Sequence, residues 1–257
     1  MIGRSHIWVG VAALFFIFLL LPLLLVVLFA FTNRALTNFP IDELSLRWWR
    51  AMLEHPQFAP SLRRSLTIGG GVALVSAVVG TAAAAGLARL PRRTATSLLA
   101  VLSLPMMLPP LVLAVSLATF YVSLGMQLNL FTVTASHILL TQPFVILVVY
   151  AQLRDFDIRI LESARDLGAS PLKAFATVTL PIIAPTVLGA ALLAVAISFD
   201  DFVITFFTIG SGNTLPTLIW GMMRSSVTPM VNAIGTLILA VTIISTLLGL
   251  SLTRYRG

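Results

Sequence analysis

The sequence predicts an all-α, polytopic integral membrane protein with six transmembrane helices. Three observations carry that prediction. Of its 257 residues, 58% are hydrophobic and only 10% are charged, whereas a soluble domain carries roughly a quarter charged residues. Mean hydropathy is +1.03. Formal charge is absent from Ile7 to Phe31, Ser65 to Ala88, Thr94 to Leu153, Ala174 to Phe199 and Ser225 to Thr253, and a bilayer core of about 30 Å needs about 20 apolar residues in a helix.

The 60-residue run from Thr94 to Leu153 is too long for one crossing and fits two with a turn between them. The predicted spans are therefore 7–31, 65–88, 95–122, 131–153, 183–207 and 230–253. The first is too long for the apolar core of a signal peptide, and no small-x-small cleavage pattern follows it. In the second, Gly69-Gly70-Gly71 and the pair Ala82-x-x-x-Gly86 are small residues at a spacing that lets helices approach closely. The third contains Pro105, Pro109 and Pro110, which predict a kink or break whose freed carbonyls need protein or water partners. Between the first two spans, Leu44 to Leu53 predicts a short amphipathic helix with Leu46, Trp49 and Leu53 on one face. Trp48 and Trp49 would then lie at headgroup level. With the N-terminus inside, cytoplasmic segments carry Arg4, Arg89, Arg92, Arg93, Arg154, Arg159, Arg165, Lys173, Arg254 and Arg256. External segments carry Arg34, Arg47, Arg50, Arg63, Arg64 and Arg224. This asymmetry favours N-in and C-in. No repeat or low-complexity linker divides the chain, so residues 1–257 are read as one transmembrane domain.

The composition also excludes function classes. There is no cysteine, hence no thiolate nucleophile or cysteine metal site. His6, His55 and His137 are far apart and form no metal-ligand set. The only lysine follows Gly168-Ala-Ser-Pro-Leu, which is not a phosphate-binding loop, so any ATP used here binds another chain. A six-span serine protease needs a serine at a helix start with a histidine partner at membrane depth. No G-x-S-G occurs, and His137 reads instead as a packed polar residue hydrogen-bonded to a neighbour.

The most informative segment is the long cytoplasmic loop, 154–182. Ile158 to Leu167 predicts a helix with Ile158, Leu161 and Ala164 on one face, ended by Gly168 in a left-handed conformation. Ser170 then caps a second helix whose first position is Pro171. That helix runs to Leu180-Pro181, where proline marks an end or a kink. The two would form a compact knob suited to a groove on a soluble partner, or merely a solvated connection.

Glu162-Ser163-Ala164-x-x-x-Gly168, nine further residues and then Val178-x-Leu180-Pro181 resemble the EAA loop of binding-protein-dependent ABC importer permeases. Ser163 and Val178 depart from that family's pattern, both conservatively in size. The resemblance extends through Leu44 to Trp49, the Leu104-Pro105-x-x-Leu108-Pro109-Pro110 run and Ser198-Phe-Asp-Asp-Phe-Val-Ile-Thr205. It continues through Thr214-Leu-Pro216 and Pro229-x-x-Asn232, which is similar to permeases of the spermidine/putrescine type. The resemblance implies a type I importer fold in the bacterial inner membrane and a non-catalytic permease subunit. It also implies a second homologous permease, two ATPase subunits that hold ATP and magnesium, and a soluble substrate-binding protein. Membrane lipid is the remaining partner, and no nucleic acid is expected. Glu162, Ser163, Ala164, Gly168, Leu180 and Pro181 would couple the chain to the ATPase. In that loop Glu162 would make a charge-assisted hydrogen bond.

Asp200 and Asp201 are the only acidic residues within a predicted span. A carboxylate there costs roughly 2.5–3.5 kcal/mol on insertion scales and usually faces a cavity or a partner. On a continuous helix the two would point about 100° apart. They would bind a cationic solute, pair with an arginine such as Arg224, or sit hydrated at the membrane edge. With Ser198 they are the candidate translocation-path residues, and the resemblance favours amine binding. The six external arginines form a poor funnel for a polycation, which leaves another small solute as an alternative. A secondary transporter or channel would need neither the loop nor an ATPase.

Overall fold

The computed structural model describes residues 2–41, 43–225 and 228–254; Arg256 lies outside them, as do the side chains of Arg4, Ile158 and Arg254. Helices account for all the regular structure among these residues apart from one isolated bridge between Thr32 and Leu44. The chain divides into two compact units, 1–61 with 215–240 and 62–214 with 241–257. Each is described by itself.

The first unit opens with α1 (Ile2–Phe29), whose apolar side chains from Trp8 to Leu24 are largely exposed. A soluble protein would not tolerate such a helix; a bilayer requires one. The chain then folds back through the Thr32–Leu44 bridge to α2 (Arg47–Glu54). That bridge delays the helix start to Arg47, later than the Leu44 the sequence predicts. The buried face also differs, because Trp48 and Met52 are packed while Leu46 and Leu53 are exposed. Trp48 is drawn in by its indole N–H, which donates to the Arg34 carbonyl at 3.1 Å, and by the Arg47 guanidinium 5.1 Å over its ring. Trp49 stacks on Phe31 with centroids 5.5 Å apart.

The second unit holds most of α3 (Phe58–Ala88), then α4 (Arg92–Leu102), α5 (Leu104–Met107), α6 (Pro110–Ser123) and α7 (Leu130–Arg154). The single helix expected over 95–122 is thus three pieces. Pro109 and Pro110 cannot donate to a preceding turn, and Leu108 before them is extended at φ −75°, ψ 142°. After α7 come α8 (Ile158–Asp166), α9 (Pro171–Ala174), one π-helical turn over Phe175–Thr179, α10 (Leu180–Asp200) and α11 (Val203–Thr208). α12 (Leu215–Ser225) belongs to the first unit, and α13 (Met230–Arg254) runs from the first into the second.

Among the described residues, five helical stretches are long and apolar enough to cross a membrane: Trp8–Phe29, Phe58–Ala88, Leu130–Arg154, Pro171–Asp200 and Met230–Thr253. The interrupted α4–α6 segment supplies the sixth position of the predicted order. The fifth crossing differs from the expected 183–207, since it begins at Pro171 and stops at Asp200. Leu180-Pro181 therefore lies inside a helix that continues from the loop, where proline at the first turn of α10 is tolerated by the π-turn before it.

The core of the second unit joins α3, α4, α7 and α10 through Ile68, Val72, Leu99, Val145, Val149, Ile183 and Val187. A smaller cluster packs Leu113 and Ala114 of α6 on Ile204 of α11. Small residues set the closest approaches, though not at the expected pair. A Cβ at Gly86 would meet nothing within 4 Å, whereas one at Gly80 would lie 2.8 Å from the Val145 side chain. The tightest contact between two helices' glycines joins α10 to α13, where a Cβ on Gly189 would lie 2.6 Å from the Gly249 carbonyl. Gly189→Leu should therefore destabilise the chain by about 1–3 kcal/mol through overpacking, while Gly86→Ala should be neutral or slightly stabilising. Thermal unfolding of the detergent-solubilised variants measures both, and equal midpoints would contradict the packing described.

Candidate functional site: an exposed knob and a broken helix

Two places bring the sequence-predicted residues together, and one helix connects them. The first is the knob formed by α8 and α9. Asp157 caps α8 by accepting the Arg159 N–H at 3.0 Å. At its other end Gly168 adopts φ +87°. The Gly168 N–H donates to the Arg165 carbonyl and the Ala169 N–H to the Ala164 carbonyl, at 2.9 and 3.1 Å. This paired arrangement is the Schellman stop that favours glycine. Ser170 Oγ then accepts the Lys173 N–H at 3.3 Å, and Pro171 begins α9. Glu162, Arg165, Asp166 and Gly168 to Pro171 line one open cleft.

Glu162 is exposed, and among the described residues it makes none of the hydrogen bonds expected of it. Its carboxylate is free for a group outside the chain. Ser163 donates to the Arg159 carbonyl at 2.9 Å, and Ala164 is half-buried. The sequence reading missed Leu167 and Leu172, which flank the glycine bend and are 90% and 78% exposed. Their signal was present as leucines beside a glycine turn in an otherwise charged loop. Leu180 and Pro181 lie farther along, in α10.

The second place is the C-terminal end of α10. The helix stops at Asp200, Asp201 is extended at φ −70°, ψ 120°, and α11 begins two residues later. The two carboxylates are therefore not successive positions on one helix, and backbone geometry gives them different surroundings. Asp201 Oδ2 accepts the Thr205 N–H at 2.9 Å and lies 3.3 Å from His137 Nε2 of α7. Ser198, expected on an open path, is buried with its Oγ 2.7 Å from His137 Nδ1. Asp200 is exposed, and no hydrogen bond or ion pair engages it among the described residues. Phe202 and Phe206 stack beside this break with centroids 5.4 Å apart.

The end of α11 is tied back to α7. Asn129 and Thr132 form a reciprocal capping box, with Asn129 Oδ1 accepting the Phe131 N–H at 2.8 Å. The Thr132 hydroxyl reaches the Thr208 carbonyl at 2.7 Å. Ser136 one turn on donates to the Thr132 carbonyl and lies 3.1 Å from the Tyr121 hydroxyl of α6. Among the described residues no group of three or more acidic or histidine side chains could hold a metal ion.

Residues 76–256 match the family of binding-protein-dependent transport system inner membrane components. The chain belongs to that family. This permease is a multi-pass inner-membrane protein, as its family and its apolar helices require. It is 34% identical to the putrescine transport system permease protein PotI of Escherichia coli (strain K12) over 92% of this chain and 86% of that protein. It is also 30% identical to the spermidine/putrescine transport system permease protein PotC of the same strain, over 95% and 92% of the two chains. Among solved structures, it resembles a bacterial ABC transporter involved in import of the acidic polysaccharide alginate. The TM-score is 0.69 at 15% identity, covering 100% of this permease and 98% of that chain, and this likeness concerns fold alone.

Thr132→Val keeps shape but leaves the buried Thr208 carbonyl without its donor, which should cost about 1–3 kcal/mol. A thermal midpoint indistinguishable from wild type would show that the α7–α11 tie contributes nothing.

Proposed function

We propose that this permease carries polyamines, putrescine and spermidine, inward across the membrane as the non-catalytic subunit of an ATP-driven importer. Its partners in this reading are a second homologous permease, two ATPase subunits and an external binding protein. ATP and magnesium bind on the ATPase subunits. The observation that carries the reading is Asp200, an unengaged carboxylate at a helix break, at the far end of the helix that begins in the knob. Relatives named as polyamine permeases over nearly the whole length support the substrate class.

The geometry supports a coupling route. Leu167 and Leu172 are apolar groups left in the open at the tip of the knob, suited to a groove on the ATPase. Glu162 lies at the rim of the cleft with its charge unused. From Pro171 to Asp200 the chain is one uninterrupted helical stretch of 30 residues, about 45 Å at 1.5 Å per residue. Displacement of the knob by ATPase closure is then delivered to the Asp200 end. There the open Asp200 carboxylate supplies the charge that attracts an ammonium group.

Uptake of radiolabelled putrescine and spermidine in cells lacking this chain tests the proposal. Wild type should restore uptake, and Asp200→Asn at matched membrane amounts should lower it by at least about tenfold, the scale of a lost charge-assisted contact. No uptake with wild type while an ATPase co-purifies would remove the polyamine. Gly168→Asp should reach the membrane yet fail to transport, because the left-handed stop disfavours a side chain. Normal uptake in that variant would remove the coupling role of the knob.

A further inference from the structure

His137 occupies a position that the proposed transport role does not use. It is 1% exposed, in the third turn of α7, and both ring nitrogens are engaged. Nδ1 lies 2.7 Å from Ser198 Oγ in the last turn of α10. Nε2 lies 3.0 Å from Thr205 Oγ1 in α11 and 3.3 Å from Asp201 Oδ2 in the break between them. One side chain thus holds the helix before the break, the break and the helix after it.

One assignment of protons serves every group. The Ser198 hydroxyl donates to Nδ1, and Nε2–H donates to Thr205 Oγ1 and Asp201 Oδ2. The Thr205 hydroxyl in turn donates to the Asp201 carbonyl at 3.1 Å. Asp201 Oδ2 also accepts the Thr205 backbone N–H, so the carboxylate caps α11 and receives the imidazole together. Leucine or alanine at 137 would leave the Ser198 hydroxyl, a carboxylate oxygen and the Thr205 hydroxyl short of partners at once.

We propose that His137 is a positioning residue for transport: by holding Ser198, Asp201 and Thr205 it fixes the α10–α11 break and so aims the Asp200 carboxylate at the solute. This rests on the reading of Asp200 as the solute-facing group. His137 itself is enclosed and does not touch the solute. Its effect passes through the backbone direction at Asp200 and Asp201.

A double-mutant cycle in the complete transporter separates this from a general packing role. Putrescine uptake is measured at graded concentrations in cells carrying His137→Leu, Asp200→Asn or both, at matched membrane amounts. His137→Leu should lower maximal uptake about tenfold with half-saturation unchanged, because capture belongs to the external protein. His137→Gln, which keeps a donor and an acceptor, should recover to within about threefold of wild type. In the Asp200→Asn background His137→Leu should cost less than about twofold more, since the group it aims is already lost. Fully additive losses, or undiminished uptake in His137→Leu, would overturn the proposal while leaving the role of Asp200 standing. Wild-type uptake in Asp200→Asn alone would overturn both, and identifies the substrate reading as the part that failed. Should His137→Leu not accumulate, Thr205→Val removes the hydroxyl that Nε2 meets and is read in the same cycle.

Discussion

A helix that stops inside hydrocarbon exposes backbone donors and acceptors that lipid cannot satisfy. The arrangement of the second unit follows from that constraint. Two helix stops in that unit, at Leu108-Pro109 and at Asp201-Phe202, show how the chain meets it. At the first, proline removes the donors that would otherwise be stranded, and Pro109 still supplies its carbonyl to the Leu113 N–H at 3.1 Å. At the second, the Asp201 side chain takes over the cap and receives the His137 Nε2–H. The helices restarting after the two stops then pack on each other, Leu113 and Ala114 against Ile204, while Leu108, Pro109 and Pro110 themselves stay exposed.

The same constraint explains why one acidic residue is spent on structure while its neighbour is left open. A carboxylate among packed helices survives where it is paired or hydrogen-bonded, and Asp201 accepts both the Thr205 N–H and the His137 Nε2–H. Asp200 meets neither among the described residues, and its exposure places the cost on whatever fills the space beside it. The division of roles between adjacent aspartates is thus a property of where the helix ends. In the proposed function, the solute end and the ATPase-docking end are joined by the one stretch from Pro171 to Asp200.

What the sequence made legible was local. Charge-free runs located the crossings, and Gly168 with Ser170-Pro171 announced the stop and restart of the knob, because these signals act within a few residues. The Leu108-Pro109 stop was half visible: the prolines were plain, yet only the structure divides that span into three helices. The partner of Asp201 was hidden for a different reason. Ser198 and His137 are 61 positions apart, and no periodicity links them. The face of α2 was likewise decided by a tertiary contact, the Trp48 bond to Arg34, in preference to the apolar spacing of Leu46, Trp49 and Leu53. The Glu162 hydrogen bond, expected from the family pattern, is absent among the described residues, where the side chain is exposed.

The π-helical turn at Phe175–Thr179 bears on how this gene's reading frame tolerates small edits. A π-turn holds one more residue than the α-turn it replaces, and it lies between the knob and the long helix. Removing a single codon there would let the chain close into regular α-helix without breaking it. The stub before the turn would then be rephased against the long helix by about 100°, and Leu172 would face a new direction while the stretch from Pro171 to Asp200 lost one residue. A substitution across the turn leaves that phase alone, whereas a deletion changes it.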